Sequence, residues 1–306
     1  VSCKKFDLKA ALTQKSKDTK DRFVVYGVSG IGKTEFAANF QKPIFICAPG
    51  ETGIQKLIQS RAVPEIPFVE IRNTLEGGVE VHDGVDMLYS ALDQIASGGI
   101  DCKTVVLDEI GGFVDLMRKE TIHTDFKGDD SEKKGGYGNY GAGVEKLLAK
   151  FISFFLPRLD AIKDAGITVV VLGHSRTKNI PNPEGADYSK YILSVPDKIG
   201  EKLVSWSDMC LFMKSDPVLK GVEGFGGKVT YKAVGENRVI RTVDTPSSYG
   251  KNRHSLPIEI PMGGSGKEAL ANLVAAMKEA KEANQNRLNA LAGTVPAETT
   301  TVKEGK

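Results

Sequence analysis

Short apolar runs alternate with amphipathic stretches along most of the chain. Phe23-Val24-Val25-Tyr26 is continuously apolar and stops at Gly27, which predicts a strand buried on both faces. Residues 34–40 have helical composition, and Pro43 separates them from a second strand over 44–47. Residues 66–71 read as a third strand. Over 83–96, Val85, Leu88, Leu92 and Ile95 share one helical face, with Asp83 as the candidate cap. Residues 104–107 form a fourth apolar strand that ends at Asp108 and Glu109. Residues 121–142 break the pattern, charged first and then glycine-rich, and predict a long mobile loop. A helix follows over 144–163, with Pro157 expected to kink it. Residues 167–172 give the strongest strand signal in the chain.

After that strand the pattern predicts a Pro/Gly-rich loop over 174–190, a short helix over 197–204 and a strand over 209–213. Residues 229–234 and 239–243 read as antiparallel strands joined by a turn at Gly235-Glu236-Asn237, and 266–291 as an amphipathic helix. Strands alternating with helices predict an α/β fold, a doubly wound, mostly parallel sheet with an antiparallel C-terminal extension. The expected organisation is a basic arm over 1–21, a core over 22–262, a C-terminal helix over 263–292 and a disordered tail over 293–306.

Composition narrows the classes. A chain of 306 residues buries a core that needs no staple, and its 4 cysteines (Cys3, Cys47, Cys102, Cys210) show no metal-ligand spacing. Cys47 and Cys102 lie in or beside apolar runs and read as small buried hydrophobes. No apolar run approaches a membrane span, and the lysine-rich start lacks the hydrophobic core of a signal peptide, so a cytoplasmic location is expected. A formal net charge of +2 excludes a chain that binds nucleic acid through overall charge; any such site must be local.

One motif carries specific chemistry. Gly27-Val28-Ser29-Gly30-Ile31-Gly32-Lys33-Thr34 matches GxxxxGK[ST] in full, between a predicted strand and a predicted helix. Its glycines let backbone N–H groups close around phosphate oxygens, Lys33 reaches the β- and γ-phosphates, and Thr34 offers a hydroxyl to Mg²⁺. The helix that follows points its positive end at the anion. Asp108, at the end of an apolar strand about two βα units downstream, is the expected second magnesium partner, which implies ATP and Mg²⁺ as ligands. Glu51 and Glu109 compete as the base that activates the attacking water. His174 ends the strand 167–172 and is a candidate sensor of the γ-phosphate.

The order of these parts resembles the RecA-type core shared by recombinases and hexameric replicative helicases. That order runs P-loop, strand-end aspartate, glycine-rich loop, strand with a polar end, second loop, then Asp208 before residues 209–213. The closer resemblance, over roughly residues 20–260, is to small phage-encoded RecA-like ATPases associated with single-strand annealing and recombination. There a segment like Gly235-Glu236-Asn237-Arg238 to Arg253-His254-Ser255-Leu256-Pro257 follows the core. The resemblance implies a catalytic glutamate from the second strand. It favours Glu51 over Glu109, although Ala48-Pro49-Gly50 departs from the usual pattern. It also implies a homo-oligomer with nucleotide at subunit interfaces, where Lys251 and Arg253, with Arg241 behind them, act in the neighbour's site.

By the same resemblance two loops line a single-stranded DNA path. The first, over 118–143, carries Arg118, Lys119, Lys127, Lys133 and Lys134, with Tyr137 and Tyr140 on glycine hinges as candidate base-stacking groups. Its acids cancel its formal charge. The second offers Arg176, Lys178 and Lys190, diluted by Glu184 and Asp187, and Lys4, Lys5 and Lys9 of the arm are further candidates. The rival expectations are a hexameric helicase-type translocase and a nucleotide-gated loader or adaptor, whose target is a replication or recombination protein.

Overall fold

The computed structural model describes residues 19–223 and 229–293. The lysine-rich arm up to residue 18, with Cys3, and the tail from 294 lie outside the described residues.

The apolar runs assemble into one sheet. Strand β1 (Arg22–Gly27) lies at its centre, with β2 (Pro43–Cys47), β3 (Phe68–Glu70), β6 (Thr104–Asp108), β7 (Thr168–Ile180) and β9 (Met209–Glu223) running parallel to it. Two further strands, β10 (Val229–Arg241) and β11 (Glu259–Pro261), extend the β9 edge antiparallel, giving the order β11-β10-β9-β1-β7-β6-β2-β3. The expected mostly parallel α/β sheet with an antiparallel C-terminal extension is therefore what forms.

Alternation along β1 divides the core. Val24 and Tyr26 face a cluster built with Val105, Leu107, Val169 and Val171, covered by α3 (Gly84–Ala96), α4 (Ile110–Phe126) and α6 (Leu156–Asp164). Phe23 and Val25 face the opposite cluster with Phe45, Val106, Val170 and Leu172. That second layer is closed by α1 (Lys33–Ala38), α2 (Gly53–Gln59) and the first half of α8 (Gly266–Gly293), through Phe36, Ile54 and Leu273. Burial on both faces explains why these strands read as continuous apolar runs, and each fully buried large side chain contributes about 1.5–3 kcal/mol.

Several expectations change. The third strand shortens to β3, because Ile66 and Ile71 bury themselves in the two clusters outside it. A hairpin, β4 (Thr74–Glu76) and β5 (Val79–Val81), follows it. Asp83 precedes α3 but makes no cap; its carboxylate accepts from Thr74 N–H and Oγ1, both at 2.8 Å, while Asn73 Oδ1 accepts from Gly84 N–H. The loop expected over 121–142 is largely ordered. Helix α4 runs to Phe126, and Tyr137 is buried against Phe126 and beneath the Arg118 guanidinium. The helix around Pro157 divides into α5 (Ala142–Lys150) and α6 across a π-helical turn at Phe151–Phe155, placing proline in a first turn where its missing N–H costs little. The region 174–190 is a hairpin in which β7 continues outward and pairs with β8 (Tyr188–Leu193). Gly235-Glu236-Asn237 is not a turn. It lies inside β10, paired along β9, with the register shift absorbed between Ala233 and Gly235.

Candidate functional site

The P-loop leaves the central strand and enters α1 within a few residues. A Cβ on Gly27 would lie 2.3 Å from Met213 O, so glycine lets β1 and β9 pair to the last residue of β1. Gly30 and Gly32 have φ of 77° and 103°, the left-handed region that turns backbone N–H groups inward. Within the loop Val28, Ser29 and Gly30 are exposed, whereas Ile31 is buried.

Lys33 is buried, and its Nζ donates to the carbonyls of Gly27 and Val28, each at 3.0 Å, with His174 Nδ1 at 3.4 Å. Burial lowers the pKa of this ammonium, opposed by the nearby charges of Asp108, Glu109 and Glu51. Thr34 Oγ1 donates to Asp108 Oδ2 at 3.0 Å, joining the two expected magnesium partners across β7, which lies between β1 and β6. A cleft of about 730 Å³ opens over these groups, with Ser29, Gly30, Gly32, Glu51, Gly53 and His174 also on its walls.

Burial pushes the Asp108 carboxyl up to about 6; the Thr34 hydroxyl opposes the shift, and Glu51 and Glu109 add to it. The donors fit a hard dication: oxygen ligands only, in a pocket whose buried negative charge lacks a full counter-charge. An unfolded aspartate titrates near 3.9. The metal-free native state therefore binds the additional proton, and this group's stabilising contribution is complete below about pH 4 and lost as pH rises through about 6. Asp108→Asn is expected to raise the unfolding free energy of the metal-free protein at pH 8 by about 2–3 kcal/mol. The gain should vanish near pH 4, checked by urea denaturation in chelator at both values.

The glutamates occupy different environments. Glu109 is the N-cap of α4, accepting from Gly111 and Gly112 N–H at 3.1 and 3.0 Å. Glu51 follows β2 and faces the cleft. Ligand atoms of Glu51, Glu109 and His174 lie within 4.8 Å of one another, so one chain brings both base candidates and the sensor candidate together.

Lys251 and Arg253 do not join this site within one chain. Lys251 Nζ donates to Val204 O and Ser205 O at the end of α7 (Asp197–Trp206), and its backbone bridges Cys210. Arg253 pairs with Asp208 at 3.2 Å, beside Arg22 at the start of β1, the opposite end of the sheet from the P-loop. Arg241 is held by Glu259 and Ser247. Sequence reasoning missed Arg238 as a site residue. On β10 its guanidinium bonds the Ile31 carbonyl and lies 2.7 Å from where a Cβ on Gly32 would stand. An arginine between a predicted turn and a predicted strand gives no sign of which loop its strand will lie beside.

The expected DNA-facing cations are mostly engaged. Arg176 and Lys178 both pair with Asp197, Lys190 with Asp244, and Lys119 with Glu80. Tyr137 is buried and unavailable for stacking, whereas Tyr140 is fully exposed. Cys47, Cys102 and Cys210 are buried free thiols, in line with the apolar surroundings of Cys47 and Cys102 in the sequence. Among the described residues no helix is long and apolar enough to cross a membrane.

Residues 19–254 match the AAA_24 family, described as an AAA domain. No curated protein matches the chain. Among solved structures the chain is similar to the KaiC-like protein PH0186 from the hyperthermophilic archaeon Pyrococcus horikoshii OT3. That likeness has 13% identity over 79% of this chain and 85% of the other, with a TM-score of 0.37, too slight to carry an assignment. With a family match over most of its length and a P-loop at the end of its central strand, the chain belongs to the AAA_24 family of AAA domains and is a P-loop ATPase by fold.

Proposed function

We propose that the chain hydrolyses ATP with Mg²⁺ and couples that cycle to work on single-stranded DNA in phage recombination or replication, as a homo-oligomer in the host cytoplasm. The observation that carries the chemistry is the convergence of Lys33, the Thr34–Asp108 pair, Glu51 and His174 on one cleft. Loop N–H groups and Lys33 hold the phosphates and neutralise charge that grows in the transition state. Thr34 and Asp108 would hold Mg²⁺, which would supply Lewis-acid stabilisation to the phosphates. Glu51 accepts the water proton as the new O–P bond forms and the bond to the β-phosphate oxygen breaks, leaving ADP and phosphate. Glu109 stays engaged with its helix cap. Arg253, exposed on the far end of the sheet, is the better placed of the two cations to reach a neighbour's site, because Lys251 is tied to α7. His174 stands where β7 leaves the sheet for its outer hairpin, so γ-phosphate contacts at that point bias the hairpin.

Exposed Tyr140 and the exposed Lys127, Lys133 and Lys134 support the DNA reading. The pairing of Arg176, Lys178 and Lys190 favours a second one, a nucleotide-gated adaptor for a protein partner. ATP hydrolysis with and without single-stranded DNA over a salt series separates them. We expect stimulation that weakens with salt; hydrolysis unchanged by DNA contradicts the DNA reading and leaves the adaptor.

A further inference from the structure

The groups that act on a terminal phosphate all lie on one side of β1: His174 on β7, Asp108 on β6 and Glu51 after β2. A nucleotide laid across the P-loop with its γ-phosphate toward them must send its nucleoside the other way, toward β9 and β10. There a second cavity, of about 600 Å³, lies between Glu236, Asn237 and Arg238 of β10 and the Gly263-Gly264 turn after β11. Its volume suits a nucleoside. Arg238 joins the two spaces, since its guanidinium lies against Gly32, which walls the phosphate cleft, while the residue also lines this cavity.

We infer that this cavity is the adenine nucleoside subsite of the chain, with Asn237 as its base-reading residue and Arg238 as the cation at the junction with the phosphates. The inference deepens the ATP reading and rests on it. Asn237 is exposed, and its side chain makes no hydrogen bond among the described residues, so the amide presents both a donor and an acceptor. An amide of that kind matches the N6 donor and adjacent ring-nitrogen acceptor of adenine in a bidentate pair. The neighbouring polar groups are committed elsewhere: Arg238 to the Ile31 carbonyl, and Glu236 to the Ser215 hydroxyl at 2.5 Å. The guanidinium that would read guanine is thus held against the P-loop. Gly264 tolerates a side chain, because a Cβ there would meet only Glu268 Oε2, at 3.8 Å. A large residue at that position fills the cavity without backbone strain.

Equilibrium binding of ADP and of inorganic tripolyphosphate to the purified full chain tests this, using Asn237→Ala and Gly264→Phe. Both variants are expected to bind ADP about tenfold or more weakly, with tripolyphosphate affinity kept, which also reports an intact P-loop. The wild-type preference for ATP over GTP should shrink in Asn237→Ala. ADP affinity unchanged in both variants, or ADP and tripolyphosphate lost in parallel, overturns the subsite. A wild-type chain that binds neither ligand overturns the ATP reading as well, whereas binding of both with no variant effect defeats the subsite alone.

Discussion

Lys33→Ala binds no ATP at concentrations that saturate the wild type, and its hydrolysis falls by at least about 10²–10³-fold. The expectation follows from how the residue is held. Its ammonium is buried against two backbone carbonyls at 3.0 Å and His174 at 3.4 Å, so it is fixed over the P-loop before nucleotide arrives. Burial lowers its pKa, the signature of a cation short of water that an anionic ligand would complete. Alanine removes the positive charge and leaves the Gly27 and Val28 carbonyls facing a phosphate. Equilibrium dialysis with labelled ATP and a phosphate-release assay read the two losses separately. Wild-type hydrolysis in the variant would mean that the nucleotide is handled elsewhere.

Glu51→Gln is expected to stop the chemical step and spare binding. Losing a positioned base costs about 10²–10⁴-fold in rate, and the amide keeps the shape of the cleft wall. Nucleotide should therefore accumulate unhydrolysed on the variant. Glu109→Gln should leave hydrolysis near wild type, because the Glu109 carboxylate serves Gly111 and Gly112, and an amide oxygen can still accept one of those two N–H bonds. Removing the cap altogether, with Glu109→Ala, should instead cost stability, about 0.5–2 kcal/mol by urea denaturation. The reverse order, with Glu109→Gln inactive and Glu51→Gln active, assigns the base to Glu109.

What could be read from the sequence is what is local. The P-loop is contiguous, and its glycines, lysine and threonine act through backbone geometry that eight residues fix by themselves. Asp108 was legible as the polar end of an apolar strand, and its contact with Thr34 follows once the strands align. Strand order was not legible: nothing in 168–172 says that this strand inserts between β1 and β6. The same limit applies to β10, where pairing along β9 overrides the turn propensity of Gly235 and Asn237. It also hid Arg238, whose role depends on which strand borders the P-loop. Glycines near Tyr137 read as hinges but act in packing; a Cβ on Gly143 would stand 2.3 Å from the Tyr137 ring. The loop cations read as free charges because their partners, Asp197 and Asp244, are distant in the chain.

The cleft over Lys33, Thr34 and Asp108 is proposed as a magnesium-dependent ATP-hydrolysing site. Steady-state phosphate release from ATP by the purified chain, in Mg²⁺ and in chelator, tests it most directly. Release in Mg²⁺ that chelator abolishes and readdition restores is the expected result. Release that persists undiminished in chelator, or a chain that turns over no ATP in either condition, would contradict it.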